Sequence, residues 1–586
     1  MPASPTSAAP RSAIRTLRAP ALALAVAAAA IIGALAGCGS SAAPGSSADP
    51  ATVIPASASL YAGASVRPSG SLKSAAAADG RALTHQADPY LRLLAALQTP
   101  GAPQLSFKRD VAPWLGPDAG VYLSSLSSAG SLLGLLQQGL LGGSSAAPSF
   151  PFGATGAQGA IVLDTSDATK ARNFLNAAAT HAGAHTTSYR GVAYRASSGG
   201  VAFGLVDRLA VIGSESGIHG VIDTVQGGAS LAYAGGYAKL MAKAPAGVLA
   251  HLYANPTGPQ SASSSAEGVT GLLRLLAGSS EANVSLVPSS GSLALDADTL
   301  SAPGASSAGL LSSDPEGAKA LSELPGESWL AVGLGHLGAS LPQDVEGLRA
   351  LSALGAAPGP TSPEGTSTST LSIKSLLAAM IAPLTVLGAP SAQARHDFAS
   401  WMGSAGIFAS GSSLLELKAA IVIASKSPAL SRAAVTKLAG ALRKDGGSLR
   451  TVSIPGTDAA VGVALTGLPV VLDIADGHAS DGQTKFVLGF GEASVEAALN
   501  PPSAMAAAPS HSAASSALAE GIQPSLTLDF PTLVSLLEGV GLTEDPSISK
   551  FVPYLRAVST LAGGGHDLGG EVQRFRLVLG LQKSEG

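Results

Sequence analysis

Two histidines four residues apart are the best candidate for a metal site in this sequence. His181 and His185 enclose Ala-Gly-Ala, and on a helix their side chains would share one face and could bind one metal ion. The sequence lacks the glutamate of the zinc-binding His-Glu-x-x-His motif, and Gly183 lies between the two histidines. Cations near the C-terminal end of a helix also interact favourably with the helix dipole and need no ligand. We therefore predict no metal and no cofactor at this pair.

A serine three residues before a lysine is the nearest approach to a catalytic motif. Ser547 and Lys550 have the Ser-x-x-Lys spacing of penicillin-binding serine enzymes. The companion Lys-Thr-Gly is absent, and Ser-Asp-Gly at 480–482 lacks the asparagine that the other companion motif requires. Residues 213–217 have Glu215 where a nucleophile elbow needs a serine, so they are predicted to form a strand-to-helix turn with a serine cap. The sequence predicts no catalytic residue.

One short segment concentrates acidic residues. Asp473, Asp476, His478 and Asp481 lie close together among glycines. Their spacing matches no calcium-binding loop. We predict that the segment is a solvated hairpin.

Much of the scarce aromatic content lies in the first half of the chain. Aromatic residues make up 4% of the sequence. The tyrosines concerned are Tyr189, Tyr194, Tyr233, Tyr237 and Tyr253. Packing in the core with the hydroxyls at its rim is the first interpretation. The alternative is that these rings line a cleft for a ligand.

The only cysteine, Cys38, stands at the end of an apolar run. Arg11, Arg15 and Arg18 precede that run at 19–34, which is too short to span a bilayer comfortably, and Leu-Ala-Gly leads directly into Cys38. This pattern resembles the signal peptide of bacterial lipoproteins. The resemblance implies that Cys38 is acylated on sulfur and becomes the N-terminus after cleavage. The alternative is an ordinary signal peptide or membrane anchor in which Leu-Ala-Gly-Cys arose by chance.

Lipidation of Cys38 would fix the location of the protein. Each CH₂ group that enters the bilayer contributes about 0.8 kcal/mol, so two or three acyl chains anchor a protein durably. We therefore predict a signal peptide at 1–37, a flexible tether at 38–51, and a body held by palmitate or a related lipid on the outer face of the bacterial cell membrane.

Charge and cysteine content exclude further classes of protein. The formal net charge is −4, from 34 basic and 38 acidic residues. A negative chain is a poor partner for nucleic acid. With Cys38 used for lipid, no cysteine remains for a disulfide or a thiolate metal site.

The sequence repeats itself, which predicts two copies of one unit. Trp-Leu-Gly-Pro-Asp-Ala-Gly-Val-Tyr at 114–122 is similar to Trp-Met-Gly-Ser-Ala-Gly-Ile-Phe at 401–408. Further segments match in the same order: 160–163 with 420–423, 166–182 with 427–444, 209–213 with 486–490, and 249–253 with 526–530. The first unit is predicted at 52–298 and the second at 322–583, with a linker at 299–321.

Strand candidates follow one another closely, which predicts antiparallel sheets. The segments 189–196, 201–206 and 208–213 are separated by only a few residues, so neighbouring strands must run antiparallel. Residues 574–577 alternate polar with apolar, as in a strand with one wet face. Helices are predicted at 166–182 and 427–444. The predicted fold class is α+β, with an antiparallel sheet in each unit and helices packed on one face.

Two of the three tryptophans occupy the same place in the two predicted units. Trp114 and Trp401 each stand just before Leu-Gly or Met-Gly and a strand. We predict that both are buried anchors that close one end of a core. The alternative is a surface aromatic that contacts sugar or lipid.

The order of these motifs resembles a known group of proteins. Ile-Pro before a first strand, Trp-Leu-Gly at 114–116, the strand and helix from Ile161, and Tyr-Arg-Gly-Val-Ala-Tyr at 189–194 are similar to an uncharacterised family of bacterial envelope proteins. That family is common in actinobacteria and is grouped only as a domain of unknown function. The resemblance covers most of the chain. It implies the fold and the compartment and supplies no catalytic residues.

Two classes of function fit these observations. The first is a non-catalytic module, tethered to the membrane, that binds a ligand or an envelope protein. The second is a carrier of lipid or another hydrophobic ligand in an apolar cavity, which the apolar segments 131–141 and 375–388 would line. A hydrolase is less favoured, because the sequence offers no recognisable set of nucleophile, acid and base.

Overall fold

The computed structural model describes residues 49–84, 107–125, 152, 157–255, 281–300, 314–341, 383–389, 391–413, 415–444, 446–465, 471–519, 521–539, 541–544, 548–549 and 551–582. Twenty strands in these ranges form one antiparallel sheet. The strands are β1 (Leu60–Ser65), β2 (Leu115–Leu123), β3 (Gly159–Thr165), β4 (His185–Tyr189), β5 (Val192–Ala196), β6 (Val201–Val206), β7 (Leu209–Ser214), β8 (Ala250–Ala254), β9 (Ala282–Ser289), β10 (Ser292–Leu300), β11 (Leu330–Leu334), β12 (Met402–Ser410), β13 (Lys418–Ser425), β14 (Ser448–Thr451), β15 (Thr457–Ala464), β16 (Val471–His478), β17 (Thr484–Phe490), β18 (Leu526–Asp529), β19 (Val558–Asp567) and β20 (Val572–Leu581).

Helices connect many of these strands. Those of six residues or more in the described ranges are α1 (Gly70–Thr84), α2 (Ala168–His181), α3 (Glu215–Val225), α4 (Gly235–Met241), α5 (Pro315–Ser322), α6 (Pro428–Lys444), α7 (Glu492–Leu499), α8 (Pro509–Leu518), α9 (Phe530–Gly539) and α10 (Val552–Ala557). Strands and helices are thus mixed in an α+β fold. The predicted helices at 166–182 and 427–444 correspond to α2 and α6.

The strand order runs from one open edge of the sheet to the other. From β4 inward it is β4-β5-β6-β7-β3-β2-β1-β8-β9-β10. From β14 inward it is β14-β15-β16-β17-β13-β12-β11-β18-β19-β20. The two series meet where β10 pairs with β20. All neighbours are antiparallel, as the closely spaced strand candidates predicted.

The β10–β20 pairing forms a seam between the two series of strands. Asp298 lies opposite Arg574, and Asp296 lies opposite Arg576. Both aspartates are fully buried, and Arg574 is only 7% exposed. The predicted wet face at 574–577 is therefore wrong. Both faces of this strand are covered. The arginines can be buried on one face because carboxylates on the neighbouring strand neutralise their charges.

Helices lie on both faces of the sheet, so the predicted packing on one face is wrong. Leu175 of α2 belongs to the same core cluster as Ala210 of β7. Ile218 of α3 packs in another cluster with Val211, the next residue along the strand. Adjacent residues of a strand point to opposite faces, so the two helices lie on opposite sides. A run that is apolar on both faces, as in β7 and β17, needs cover on both.

Polar side chains at the N-cap positions determine where α2 and α3 begin. Oδ1 of Asp167 accepts hydrogen bonds from the backbone of Thr169 and Lys170 at 3.1 and 3.0 Å, which caps α2. Oγ of Ser214 accepts from the backbone of Gly217 at 3.0 Å and caps α3. The predicted serine-capped turn at 213–217 is therefore confirmed.

Both tryptophans of the repeated motif are anchors of the core. Trp114 and Trp401 are 2% and 0% exposed. Each indole N–H donates to a backbone carbonyl four residues earlier, Trp114 to Asp110 at 2.8 Å and Trp401 to Asp397 at 2.9 Å. Their predicted burial is confirmed, and the alternative of a surface aromatic for sugar or lipid is wrong for both.

Candidate functional site

One partly exposed group of polar and aromatic side chains lies where the β4–β5 hairpin meets α3. We call it the α3 cluster, and it consists of Tyr189, Tyr194, Glu215, His219 and Asp223. The last three recur every four residues along α3, so they share one face of the helix. The two tyrosines extend from the hairpin and contact that face.

Hydrogen bonds and ring stacking hold the α3 cluster together. The Tyr194 hydroxyl lies 2.8 Å from Oε1 of Glu215 and 2.7 Å from Nε2 of His219. The rings of Tyr189 and His219 are stacked, with centroids 3.9 Å apart and an interplanar angle of 16°. The Tyr189 hydroxyl donates to Oδ2 of Asp223 at 3.3 Å.

The two contacts of the Tyr194 hydroxyl fix the protons of the cluster. A hydroxyl has one proton to donate, and an ionised carboxylate can only accept. Tyr194 therefore donates to Glu215, and His219 donates its Nε2 proton to the Tyr194 oxygen. In neutral His219 this assignment leaves Nδ1 as a hydrogen-bond acceptor.

Tyr194 is held in its neutral form. Burial, and then the adjacent Glu215 carboxylate, raise the pKa of Tyr194 to about 12. The hydroxyl therefore stays protonated near neutral pH and is a poor base or nucleophile. The chemistry that remains for the cluster is recognition through hydrogen bonds and aromatic faces.

The corresponding part of the second series of strands has different chemistry. The helix there, α7, begins with Glu492 as α3 begins with Glu215, but its fifth residue is Glu496 in place of His219. Strands β14 and β15 contain no tyrosine. The two ends of the sheet therefore share strand order but not the aromatic and histidine groups.

The other tyrosines singled out from the sequence have different surroundings. Tyr237 and Tyr253 are buried with Tyr61 in a core cluster of rings that also contacts His251. Burial lowers the pKa of His251 to about 4, so this histidine is neutral beside the Tyr237 hydroxyl, which lies 3.1 Å away. Core packing is thus confirmed for these two tyrosines. Tyr233 is 83% exposed, so core packing is wrong there.

The histidine pair does not share a helix face. Helix α2 ends at His181, whose Nδ1 lies 2.8 Å from the Ala177 carbonyl oxygen, and His185 begins β4. Both are exposed. Within the described ranges, no three His, Cys, Asp or Glu side chains are grouped so as to hold a metal ion.

The acidic segment forms the predicted hairpin, between β16 and β17, but only its turn is exposed to solvent. Asp473 and Asp476 lie in β16 and are 1% and 0% exposed, whereas His478 and Asp481 are exposed. Asp473 lies opposite Gly462 of β15, where the missing side chain leaves room for the carboxylate. Burial raises the pKa of Asp473 to about 6.

A small apolar cavity lies beside β12 and β13. Its volume is about 30 Å³. Its walls are Pro383, Ile407, Phe408, Ala419, Ala420, Ile421, Leu472, Leu488 and Phe490. A space of that size holds about one water molecule.

Several predicted features lie outside the described residues. They are the signal peptide at 1–37, the lipidation site Cys38 with most of the tether, the apolar segment 131–141, most of 375–388, and both Ser547 and Lys550. In the ranges that are described, none of the helices has the length and apolar character needed to cross a membrane.

Sequence reasoning did not single out the α3 face. In the sequence, Glu215 stands where a nucleophile elbow needs a serine, and neither His219 nor Asp223 belongs to a motif. Their four-residue spacing along a predicted helix was the available signal, because such spacing places polar side chains on one face.

The fold defines an α+β protein built on one long antiparallel sheet, and the comparisons with known proteins place it in a family. Residues 19–539 match the family described as "Protein of unknown function (DUF3352)", and the chain belongs to that family. A search of curated proteins found no match. Among solved structures, the chain is similar to one titled "Structure of crystal form I of TP0453" at 10% identity, over 44% of this chain and 81% of that chain, with a TM-score of 0.24.

Proposed function

We propose that this protein is a lipid-anchored lipoprotein of the bacterial cell envelope, of actinobacterial type, that binds a ligand or partner without catalysing a reaction. The observation that carries the binding function is the α3 cluster. Its tyrosine is held neutral, and Glu215 has lone pairs beyond the one that Tyr194 uses, so the cluster is suited to recognition. The solitary Cys38 after Leu-Ala-Gly supports the lipid anchor.

We further propose that 52–298 and 322–583 are two copies of one unit. The strand order from β4 to β10 and the order from β14 to β20 support this duplication, as do the two buried tryptophans. If the scaffold is duplicated, the α3 cluster is a specialisation of the first copy. The second copy then contributes one strand of the seam, β20, and its own part of the core, and the binding chemistry belongs to the first copy.

A carrier of hydrophobic ligand is less well supported by the described residues. The apolar cavity beside β12 has a volume of about 30 Å³. An acyl chain needs several times the space of one water molecule. The segments 131–141 and most of 375–388, which were predicted to line a larger cavity, lie outside the described residues. We propose recognition at a surface site because the α3 cluster supports it.

The anchor is tested by replacing the cysteine. Cys38→Ala should release the protein from the membrane or leave the precursor uncut, as read by fractionation and by the mass of the N-terminal peptide. Ser40→Ala is the matched control, since it changes a neighbouring small residue without removing the thiol. A Cys38→Ala protein that is still membrane-bound with a cleaved N-terminus would disprove the anchor.

Binding is tested separately by native mass spectrometry. Protein purified from its own membrane should carry a partner or ligand, and replacing His219 should remove it. Retention of the same bound species by a folded His219→Ala variant would place the binding site elsewhere.

A further inference from the structure

A carboxylate lies in the middle of the apolar face of helix α1. Leu72, Ala76, Asp79 and Leu83 are spaced by four, three and four residues, so they share one face of the helix. The three apolar residues pack in one core cluster, and Asp79 itself is only 3% exposed. Gly80 follows in the helix interior, where glycine destabilises a helix relative to alanine. The position of α1 therefore depends on how well this face packs.

α1 covers one face of the seam. Its core cluster includes Leu293 and Leu295 of β10 and Leu579 and Leu581 of β20, the two strands that join the series. Adjacent residues of a strand point to opposite faces, so these leucines lie on the face away from Asp296 and the seam ion pairs. Displacement of α1 would expose apolar side chains on both central strands.

Two backbone N–H groups join Asp79 to the turn between β9 and β10. Ser289 donates to Oδ2 at 3.2 Å, and Gly291 donates to Oδ1 at 3.3 Å. Within the described residues, Asp79 forms no ion pair. Asp79 is thus the polar contact between the buried face of α1 and the hairpin, and no cation neutralises it there.

The ionisation of Asp79 depends on its burial. Burial raises the pKa of Asp79 to about 7, although the two backbone N–H groups act in the opposite direction. α1 packs against β9, α10 and β20, and β9 contains no titratable side chain. The titratable and charged side chains of α1, α10 and the seam strands, none of which causes the shift, are Lys73, Arg81, Tyr554, Arg556, Asp296, Asp298, Arg574 and Arg576.

We propose that α1 is a pH-sensitive cover of the seam, docked while Asp79 is protonated and released when Asp79 ionises. A neutral carboxyl group costs less to bury than a carboxylate. In the released helix Asp79 is hydrated and ionises near pH 4, so the docked helix holds a proton that the released helix loses. Docking is therefore strongest below about pH 4, and each pH unit from about 4 to about 7 weakens it by up to about tenfold. The inference goes beyond the proposed binding function and depends on neither the α3 cluster nor the lipid anchor.

The test is hydrogen exchange of the full chain in detergent, read by mass spectrometry between about pH 5.5 and about pH 7.5. Dividing each rate by that of an unstructured peptide at the same pH removes the intrinsic effect of pH on exchange. Comparing α1 with α2 removes pH effects on the whole molecule. We expect the protection of α1 amides to fall by about tenfold or more relative to that of α2 amides. Constant protection of α1, or an equal loss in both helices, would overturn the proposal.

Two matched variants assign the effect to Asp79. Asp79→Asn removes the ionisation and keeps an oxygen acceptor, so the relative protection of α1 should change by less than about twofold over this pH range. Asp481→Asn makes the same change at an exposed turn residue and should keep the wild-type profile of α1. The wild-type pH dependence in Asp79→Asn would also overturn the proposal. The wild-type comparison of α1 with α2 decides the question if Asp79→Asn fails to fold.

Discussion

Arg574 and Asp298 form a buried, bidentate ion pair across the seam of the sheet. Nε and Nη2 of Arg574 donate to the two carboxylate oxygens of Asp298 at 2.7 and 2.8 Å, although the residues are 276 positions apart. Nη2 also donates to the Lys243 carbonyl oxygen just beyond α4, at 2.6 Å. One guanidinium group thus joins both central strands to a helix that covers them.

Removing one partner of this pair should destabilise the protein strongly. In Asp298→Ala the buried Arg574 loses its hydrogen-bonded carboxylate and keeps only Asp296, which is 3.6 Å away and is already paired with Arg576. The free energy of unfolding should therefore fall by up to about 3 to 5 kcal/mol. Chemical denaturation would measure the change. Glu571→Ala is the control, because its ion pair with Lys239 is exposed and should be worth no more than about 1 kcal/mol. A similar loss of unfolding free energy in both variants would show that the buried pair stabilises the protein no more than the exposed pair does.

Truncating Trp401 should open a cavity in the core. The side chain is fully buried and packs against Phe486, with ring centroids 5.1 Å apart. Trp401→Ala should therefore cost about 3 to 5 kcal/mol in a thermal or chemical melt. Leu415→Ala, at a side chain that is 99% exposed, should change stability by less than about 0.5 kcal/mol. An unchanged melt for Trp401→Ala would rule out the anchor role.

Asp473 should make stability depend on pH. Because burial raises its pKa to about 6 in the folded state, the folded protein holds a proton that the unfolded chain loses near pH 4. This contribution is complete below pH 4, and it is lost as the pH rises from about 4 to about 6. Asp473→Asn removes the ionisation and should be more stable than the wild type above pH 6, by about 1 to 3 kcal/mol.

The matched control for this pH effect is Asp481→Asn. Asp481 is exposed, so its replacement should leave the pH profile of unfolding unchanged. If Asp473→Asn keeps the wild-type decline between pH 4 and pH 6, another group is responsible for it.

The hydroxyl of Tyr194 should contribute to the stability of the β4–β5 hairpin on α3. Tyr194→Phe removes the group that bridges Glu215 and His219, and it should cost about 1 to 2 kcal/mol. Tyr233→Phe removes an exposed hydroxyl and should have no measurable effect. Hydrogen exchange of β4 and β5 amides should increase only in the Tyr194 variant. Equal protection in the two variants would contradict the bridging role.

Much of the local structure was predictable because local signals determine it. Asp167 and Ser214 fix where α2 and α3 begin, and their capping hydrogen bonds depend only on residues a few positions ahead. The spacing of the strand candidates around β5, β6 and β7 predicted antiparallel neighbours for the same reason. These features involve no distant partner.

Most of the wrong predictions concern distant partners. Arg574 and Asp473 are polar side chains that a local pattern assigns to solvent. Arg574 is buried because Asp298 lies on the opposite strand, and Asp473 because Gly462 leaves space beside it. The prediction of helices on only one face was wrong for the same reason. The alternation of side chains along a strand shows which residues share a face, but it does not show what covers each face. The α3 cluster requires a hairpin and a helix whose proximity only the folded chain reveals.

The seam also determines when the molecule can finish folding. The chain is synthesised through β10, with Asp296 and Asp298, long before Arg574 and Arg576 exist to neutralise these carboxylates. At about 5 to 20 residues per second, the interval before β20 is on the order of tens of seconds. Until then the edge of the first series stays hydrated and unpaired. Since β20 is the last strand in the described residues, a protein that is truncated or stalled before Val572 would keep this edge open, and an open edge can pair with the strands of other chains.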